Sequence, residues 1–464
     1  MTAPAPIEYT DIRRVEGPLL VVAGVDGVGW DEDVEIILDD DNLRHGVVLE
    51  RDRDVAVIQV LEGTAGISTS GTAVRFSGHP MQITVGEAWL GRVCSGRGTP
   101  LDGGAPIFGD AVADVNGSPL NPTVRDTPND PILTGISIID ALTTLVRGQK
   151  LPIFSVGGLP HLELATQIAA QAHAGGEPFA VVFAGMGITH ADATAVRDAL
   201  EERAAAGELA LFLNTADDPV IERIITPRVA LTVAEHLAFA MHRHVLVVMA
   251  DMTTYCEAVR QVSAARGEMP SRRGYPGYLY SDLASIYERC GRIRGKSGSI
   301  TEVPVLTMPG GDITHPVPDL TGYITEGQLV LSADLQTAGI YPPVEPLSSL
   351  SRLMRRGAGP GRTRDDHLEL AAQLVALLAK ARDVRELTEL LGETALSQTD
   401  RAYLRFADEF NRQMSQDANE SRMLDDTLTR AWAVASVLPR RELTMLSAEV
   451  LDSHYQPERT ESSA

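Results

Sequence analysis

Apolar positions change their spacing twice along this chain. Over residues 8–75 they fall in short alternating runs, GPLLVVAGV, DVEIILD, GVVLERDRDVAVIQVLE and TAVRFS, punctuated by Gly24, Gly27, Gly29 and the acidic run Asp39–Asp41. Successive side chains of a strand face opposite ways, so this alternation predicts the short strands of a small β-barrel. A Gly/Pro-rich connection follows, GRVCSGRGTPLDGGAPIFGD and then NPTVRDTPNDPI. From about residue 130 the apolar runs become continuous, LPIFSV, FAVVFAG, LALFLN, HVLVVMAD and VPVLTMP, most with helical stretches between them. Strands apolar on both faces and alternating with helices predict a parallel sheet covered on both sides. After residue 362 the strands stop. DDHLELAAQLVALLAKA, DRAYLRFADEFNRQM and ELTMLSAEVLDSHY carry helical periodicity and predict a C-terminal helical bundle. There is no internal repeat, and the tail QPERTESSA is expected to be loose.

Composition narrows the function classes. The chain has 464 residues, enough for two or three domains, with 40 basic and 63 acidic residues and a formal net charge of −23. That balance argues against a surface built mainly to hold nucleic acid. Cys94, Cys256 and Cys290 form no C-x-x-C pair, as expected of buried, reduced thiols in a cytosolic protein. The stretch MTAPAPIEYTDIRRVEGP has no signal-peptide core, and no run reaches the roughly 20 apolar residues of a membrane helix. A role at a membrane would therefore need something else as anchor.

The stretch SVGGLPHLELATQIA, residues 155–169, follows an apolar run and leads into a helical pattern, as a phosphate-binding loop would. A working loop wraps phosphate in backbone N–H groups, places a lysine on the β/γ oxygens and puts a Ser/Thr hydroxyl on Mg²⁺. Aligning the helix expected to begin near Leu162 puts His161 at the lysine, Leu162 at the hydroxyl and Pro160 at the final glycine. Each exchange removes something: a histidine is mostly neutral at pH 7, leucine cannot ligate magnesium, and proline has no N–H. Gly157 and Gly158 keep the turn, and the helix N-terminus keeps a weak attraction for anions. Weak nucleotide binding and a purely structural turn both remain open.

Asp251 ends the run HVLVVMAD, where ATPases place a magnesium-ordering carboxylate, although an aspartate there can equally cap the next helix. The run FAVVFAG continues into MGITHAD, which puts Ile188 and Thr189 at the strand tip, and neither accepts a proton usefully. Tyr275, Tyr278, Tyr280 and Tyr287 are read as packing residues, although tyrosines can stack on bases. His242 and His244 lack the acidic or cysteine partners of a metal site. His315, in DITHPVPDLTGYITEGQ, receives no role.

Several long blocks carry a family resemblance: GRVCSGRGTPLDGG, GISIIDALTTLVRGQKLPIFSVGGLPH, LFLNTADDPVIERIITPRVALTVAEHLAF and RRGYPGYLYSDLASIYERCGRIRGKSGSITEVPVLTMPGGDITHPVPDLTGYITEGQ. They resemble the B subunit of V-type (A/V-type) rotary ATPases over roughly residues 8–370, and PPVEPLSSLS, 342–351, is similar to the signature of the α/β-type subunits, with Glu345 where Asp or Asn is usual. The resemblance implies an N-terminal β-barrel over 1–76, a central RecA-like, P-loop-type α/β domain over 77–362 and an α-helical domain over 363–464. It implies three copies alternating with three catalytic A subunits, together with central and peripheral stalk subunits, at the cytoplasmic face of a membrane reached only through the ion-translocating sector. ATP or ADP would sit at the interface with the catalytic subunit, Mg²⁺ would be held by that subunit, and no metal would belong to this chain. In this family the B subunit is the non-catalytic, regulatory partner, and G-L-P-H stands where the catalytic subunit has its lysine. The usual Asn after that His is Leu162 here, and THAD replaces a more acidic stretch.

Arg352, in SLSRLMRRG, matches the arginine finger that the family presents to a neighbour's nucleotide. A planar guanidinium suits the charge that develops in phosphoryl transfer. Arg260, in CEAVRQV beyond Asp251, is a second candidate cation, read as an intersubunit salt-bridge residue. The chain is therefore expected to serve ion-coupled ATP synthesis or hydrolysis on a partner. A self-sufficient P-loop ATPase fails on His161, Leu162 and Ile188 together. A hexameric nucleic-acid translocase fails on the net charge and the lack of a Lys/Arg-rich loop.

Overall fold

Alternation along the first strands decides what faces inward. In Glu32–Ile37, residues Glu32, Val34 and Ile36 are buried while those between them are half-exposed. The computed structural model describes residues 7–39, 42–392, 394 and 396–456; Asp40 and Asp41 of the acidic run, and the tail after Gln456, lie outside the described residues. Seven antiparallel strands pair in the order Glu8–Tyr9, Ala73–Pro80, Glu32–Ile37, Leu43–Asp52, Val55–Val60, Leu19–Ala23 and Ile12–Glu16. The sheet curls around Leu20, Val22, Val34, Ile36, Val48 and Ile58, all fully buried. Each such side chain contributes about 1.5–3 kcal/mol on leaving water. The inward carboxylate of Glu32 is satisfied by the N–H groups of Gly29 and Gly78, both at 2.6 Å.

The chain divides into two compact units, residues 1–121 with 180–289, and residues 122–179 with 290–464. In the first, the strand Leu209–Thr215 runs parallel to Phe179–Ile188 on one side and to Val93–Ser95 on the other. His244–Ala250 is the next strand beyond Phe179–Ile188. The helix Val220–Phe239 packs on His244–Ala250 and Leu209–Thr215 and buries residues all round its circumference. That explains why its sequence shows no polar face. The guanidinium of Arg289, fully buried, donates to Glu235 Oε1 and Oε2 at 2.7 and 2.8 Å, to Thr232 Oγ1 at 2.8 Å and to the Val115 carbonyl at 3.1 Å.

In the second unit Ile153–Ser155 lies between the parallel strands Ser299–Thr307 and Gly327–Val330. The short strand Leu350–Ser351 joins Gly327–Val330 in antiparallel register, Ser351 opposite Gly327. The helices His367–Leu391, Gln398–Met414, Leu424–Ala435 and Ala448–His454 follow. The third, LDDTLTRAWAVA, is the one that the sequence pattern did not single out, and it packs on the short helix Ser137–Leu142. Gln416 ties the same place, its Oε1 accepting from Ser137 N at 2.5 Å and its Nε2 donating to the Gly135 carbonyl at 2.9 Å. Asp140, fully buried, accepts from Thr134 N and Oγ1 at 2.9 and 2.8 Å and from Gly135 N at 2.9 Å, yet burial lifts its carboxyl to about 6. Among the described residues, no helix is long and apolar enough to cross a membrane.

Candidate functional site

The loop after Ile153–Ser155 is a turn closed on itself. Its helix begins at His161, one residue before the expected start, with Pro160 as N-cap and no side-chain cap. Proline has no N–H to lose at a helix start and stands just outside the first turn. Gly158 takes φ +88°, a left-handed value that a side chain would resist. The N–H groups a phosphate would need are partly gone, since Pro160 has none and that of His161 donates to the Leu159 carbonyl at 2.8 Å. The His161 ring also turns inward. Its Nδ1 lies 2.9 Å from the Leu159 carbonyl and 3.3 Å from the Ser155 hydroxyl. Donation to that carbonyl places a proton on Nδ1. Leu162, half-buried, has no side-chain oxygen to offer, and its carbonyl accepts from Thr166 Oγ1 at 2.7 Å.

Asp251 caps the next helix. Its side chain accepts from Thr253 N at 2.6 Å at the start of the helix Met252–Ala265. Ile188 is buried, and Thr189 caps the helix His190–Ala199 in a reciprocal box with Asp192. Neither can activate water.

Arg352 stands differently. It follows the edge strand Leu350–Ser351, is exposed, and sends Nη1 to the Thr325 carbonyl at 3.1 Å, while its backbone N–H donates to the Glu326 carbonyl at 2.9 Å. Among the described residues it makes no ion pair. Its place relative to the loop follows from strand direction. Gly327–Val330 runs parallel to Ile153–Ser155, with Ile153 opposite Leu329, so Gly327 and its partner Ser351 lie toward the start of these strands. The altered loop leaves from their other end. At about 3.3 Å per residue the two features are roughly 15–20 Å apart.

Arg260 is engaged within its own helix region. Its Nε donates to Glu257 Oε2 at 2.8 Å, and its guanidinium lies 5.9 Å from the Tyr275 ring centroid. Tyr275 is buried, with its hydroxyl on Glu257, and Tyr287 is fully buried, so neither presents a face to a base. Tyr278 and Tyr280 are exposed. His315 is buried and caps the helix Pro316–Ile324, while His242 is exposed and His244 buried. Among the described residues no group of three His, Cys, Asp or Glu side chains could hold a metal ion. Burial pushes the thiols of Cys256 and Cys290 well up and that of Cys94 to about 12, which leaves all three unreactive.

Sequence reading did not single out what supports Arg352, namely Gln149, Thr325, Glu326 and Gly327. Their signal was the pair of segments RGQK and TEGQ, each lying inside a quoted block.

Comparison with known proteins covers nearly the whole chain. Residues 135–351 match the nucleotide-binding domain of the ATP synthase alpha/beta family, 12–78 its beta-barrel domain, and 356–455 the C-terminal domain of V and A type ATP synthase. The B subunit of the A-type ATP synthase of Aeropyrum pernix is 54% identical over 451 residues, 97% of each chain. The solved structure of the ATP synthase protein NeqB from Nanoarchaeum equitans superimposes with a TM-score of 0.71 at 38% identity, covering 90% of this chain and 98% of that one.

Proposed function

Because the chain belongs to the ATP synthase alpha/beta family, as a B subunit of the A/V type, we infer that it supplies Arg352 in trans to nucleotide bound on a catalytic A subunit. In this reading three copies alternate with three A subunits, attached to central and peripheral stalks, and meet the membrane only through the ion-translocating sector. ATP or ADP occupies the interface that Arg352 faces, with Mg²⁺ held by the A subunit. The observation that carries the reading is the placement of Arg352. It is exposed, free of carboxylates among the described residues, and at the opposite end of the strands from the loop that lost its lysine.

The chain's own loop keeps the shape of a nucleotide site, with the His161 ring turned onto the Leu159 carbonyl and the Ser155 hydroxyl. Asp251 and Arg260 take supporting roles here, as a helix cap and as the partner of Glu257. The division into a barrel over 1–76, a central domain over 77–362 and a helical domain over 363–464 is supported by the three matched spans, 12–78, 135–351 and 356–455. The reading is tested by assaying ATP hydrolysis with the purified chain alone and with its catalytic partner added. Background turnover alone and robust turnover in the mixture are expected; robust turnover by the lone chain overturns it.

A further inference from the structure

We propose that Gln149 is the positioning residue for Arg352. The inference rests on the reading that Arg352 acts on a neighbour's nucleotide. An arginine side chain has many rotamers, and one exposed hydrogen bond to Thr325 does not fix where it points. Its backbone must therefore be held.

Gln149 is fully buried, and both ends of its amide are hydrogen-bonded. Oε1 accepts from Val146 N at 3.0 Å, while Nε2 donates to the Ser351 hydroxyl at 2.9 Å and to the Glu326 carbonyl at 3.2 Å. That same carbonyl accepts the backbone N–H of Arg352 at 2.9 Å. One amide thus grips the residue before Arg352 and the group that holds Arg352's own backbone. Ser351 Oγ in turn donates to the Thr144 carbonyl at 3.3 Å.

The support beneath is equally constrained. Glu326 accepts from the buried ammonium of Lys150 at 3.0 Å and from Lys150 N at 2.8 Å, and its own N–H donates to the Lys150 carbonyl at 3.1 Å. A Cβ on Gly327 would lie 2.2 Å from the Leu350 carbonyl, so only glycine lets the edge strand approach this closely. Residues 149 and 150 also open the segment that runs into Ile153–Ser155 and the altered loop. A misplacement of about 1 Å at a transition-state contact costs on the order of 100-fold in rate. Loss of the Gln149 amide therefore acts on turnover and leaves substrate binding on the partner intact.

The test is a four-way cycle in rings assembled with a catalytic A subunit: unmodified, Gln149→Ala, Arg352→Ala and the double variant, each assayed for kcat and KM. Gln149→Ala is expected to lower kcat about 10–100-fold with KM changed less than about twofold, and to cost nothing further once Arg352 is alanine. Near-normal kcat in an assembled Gln149→Ala ring, or an equal loss in the Arg352→Ala background, overturns the proposal. If Arg352→Ala itself leaves turnover intact, the trans-acting reading falls and takes this one with it. Ser351→Ala, which removes one of the two donated bonds without emptying the core, gives the same cycle if Gln149→Ala does not yield soluble protein. It is expected to lower kcat about threefold to tenfold, again only when Arg352 is present.

Discussion

The Arg352 guanidinium rests on the carbonyl oxygen of Thr325 at 3.1 Å and on no carboxylate among the described residues. A hydrogen bond of this kind contributes about 1 kcal/mol net, so the side chain leaves it at little cost when a phosphate offers charge-assisted bonds. Arg352→Ala is expected to lower turnover of the assembled ring by roughly 10³–10⁵ while the chain's unfolding free energy moves by about 0.5 kcal/mol or less. Arg352→Lys recovers little, because an ammonium lacks the planar fork. Steady-state hydrolysis by the ring and thermal unfolding of the isolated chain check both halves.

Arg289 and Glu235 make the opposite kind of pair, in which the guanidinium is buried and bidentate. Removing one partner leaves groups buried without compensation. Arg289→Met is expected to cost about 3–5 kcal/mol in chemical denaturation, and the double variant Arg289→Met with Glu235→Leu clearly less. A double variant as unstable as the single one would show that packing, not charge, dominates there.

Much of this was legible in the chain. Period-two alternation located Val34 and Ile36 on an inner face, and continuous apolar runs located the strands Phe179–Ile188, Leu209–Thr215 and His244–Ala250. Asp251 was legible only as two alternatives, because a cap and a magnesium ligand require the same residue at the same strand end. The structure shows the cap, through Thr253 N. The i,i+3 spacing of Glu257 and Arg260 was visible, but the ring of Tyr275 comes from a later turn that no local pattern ties to it. The helix Leu424–Ala435 escaped notice for a related reason: its buried residues include Thr427 and small alanines, which weaken the apolar stripe. The support for Arg352 was the least legible part, since Gln149 and Glu326 meet only after the strands pair.

His367 gives the chain a pH-dependent seam. A relay runs from Gly359 N to Thr363 Oγ1 at 2.7 Å, from that hydroxyl to His367 Nδ1 at 3.0 Å, and from Nε2–H to the Ala141 carbonyl at 2.9 Å. It uses the neutral ring, and burial holds the ring below its ordinary value. A lowered histidine binds its proton more readily when unfolded, so its contribution is present above about pH 6.5 and is lost on acidification. Thermal unfolding from pH 7.5 down to 5 is expected to show a falling midpoint, with a shallower fall in His367→Gln. An unchanged slope in that variant would assign the acid sensitivity elsewhere.

Restoring the loop separates binding from chemistry. Pro160→Gly returns an N–H, His161→Lys a fixed cation and Leu162→Thr a magnesium ligand, and each replaces a group that now serves the turn or the helix start. The triple variant is expected to bind MgATP at least about tenfold more tightly than the unmodified chain, measured by calorimetry, because a lysine and several N–H groups then face the phosphates. Hydrolysis by the lone variant is nevertheless expected to stay at background. The tip of the strand Phe179–Ile188 still carries buried Ile188 and the cap Thr189, neither of which takes a proton from water, and the nearby Asp192 carboxylate is engaged by Thr189 in the capping box. Turnover by the lone triple variant would mean that a base lies elsewhere in the chain. Unchanged affinity would mean that the turn at Leu159, rather than the missing side chains, keeps nucleotide out.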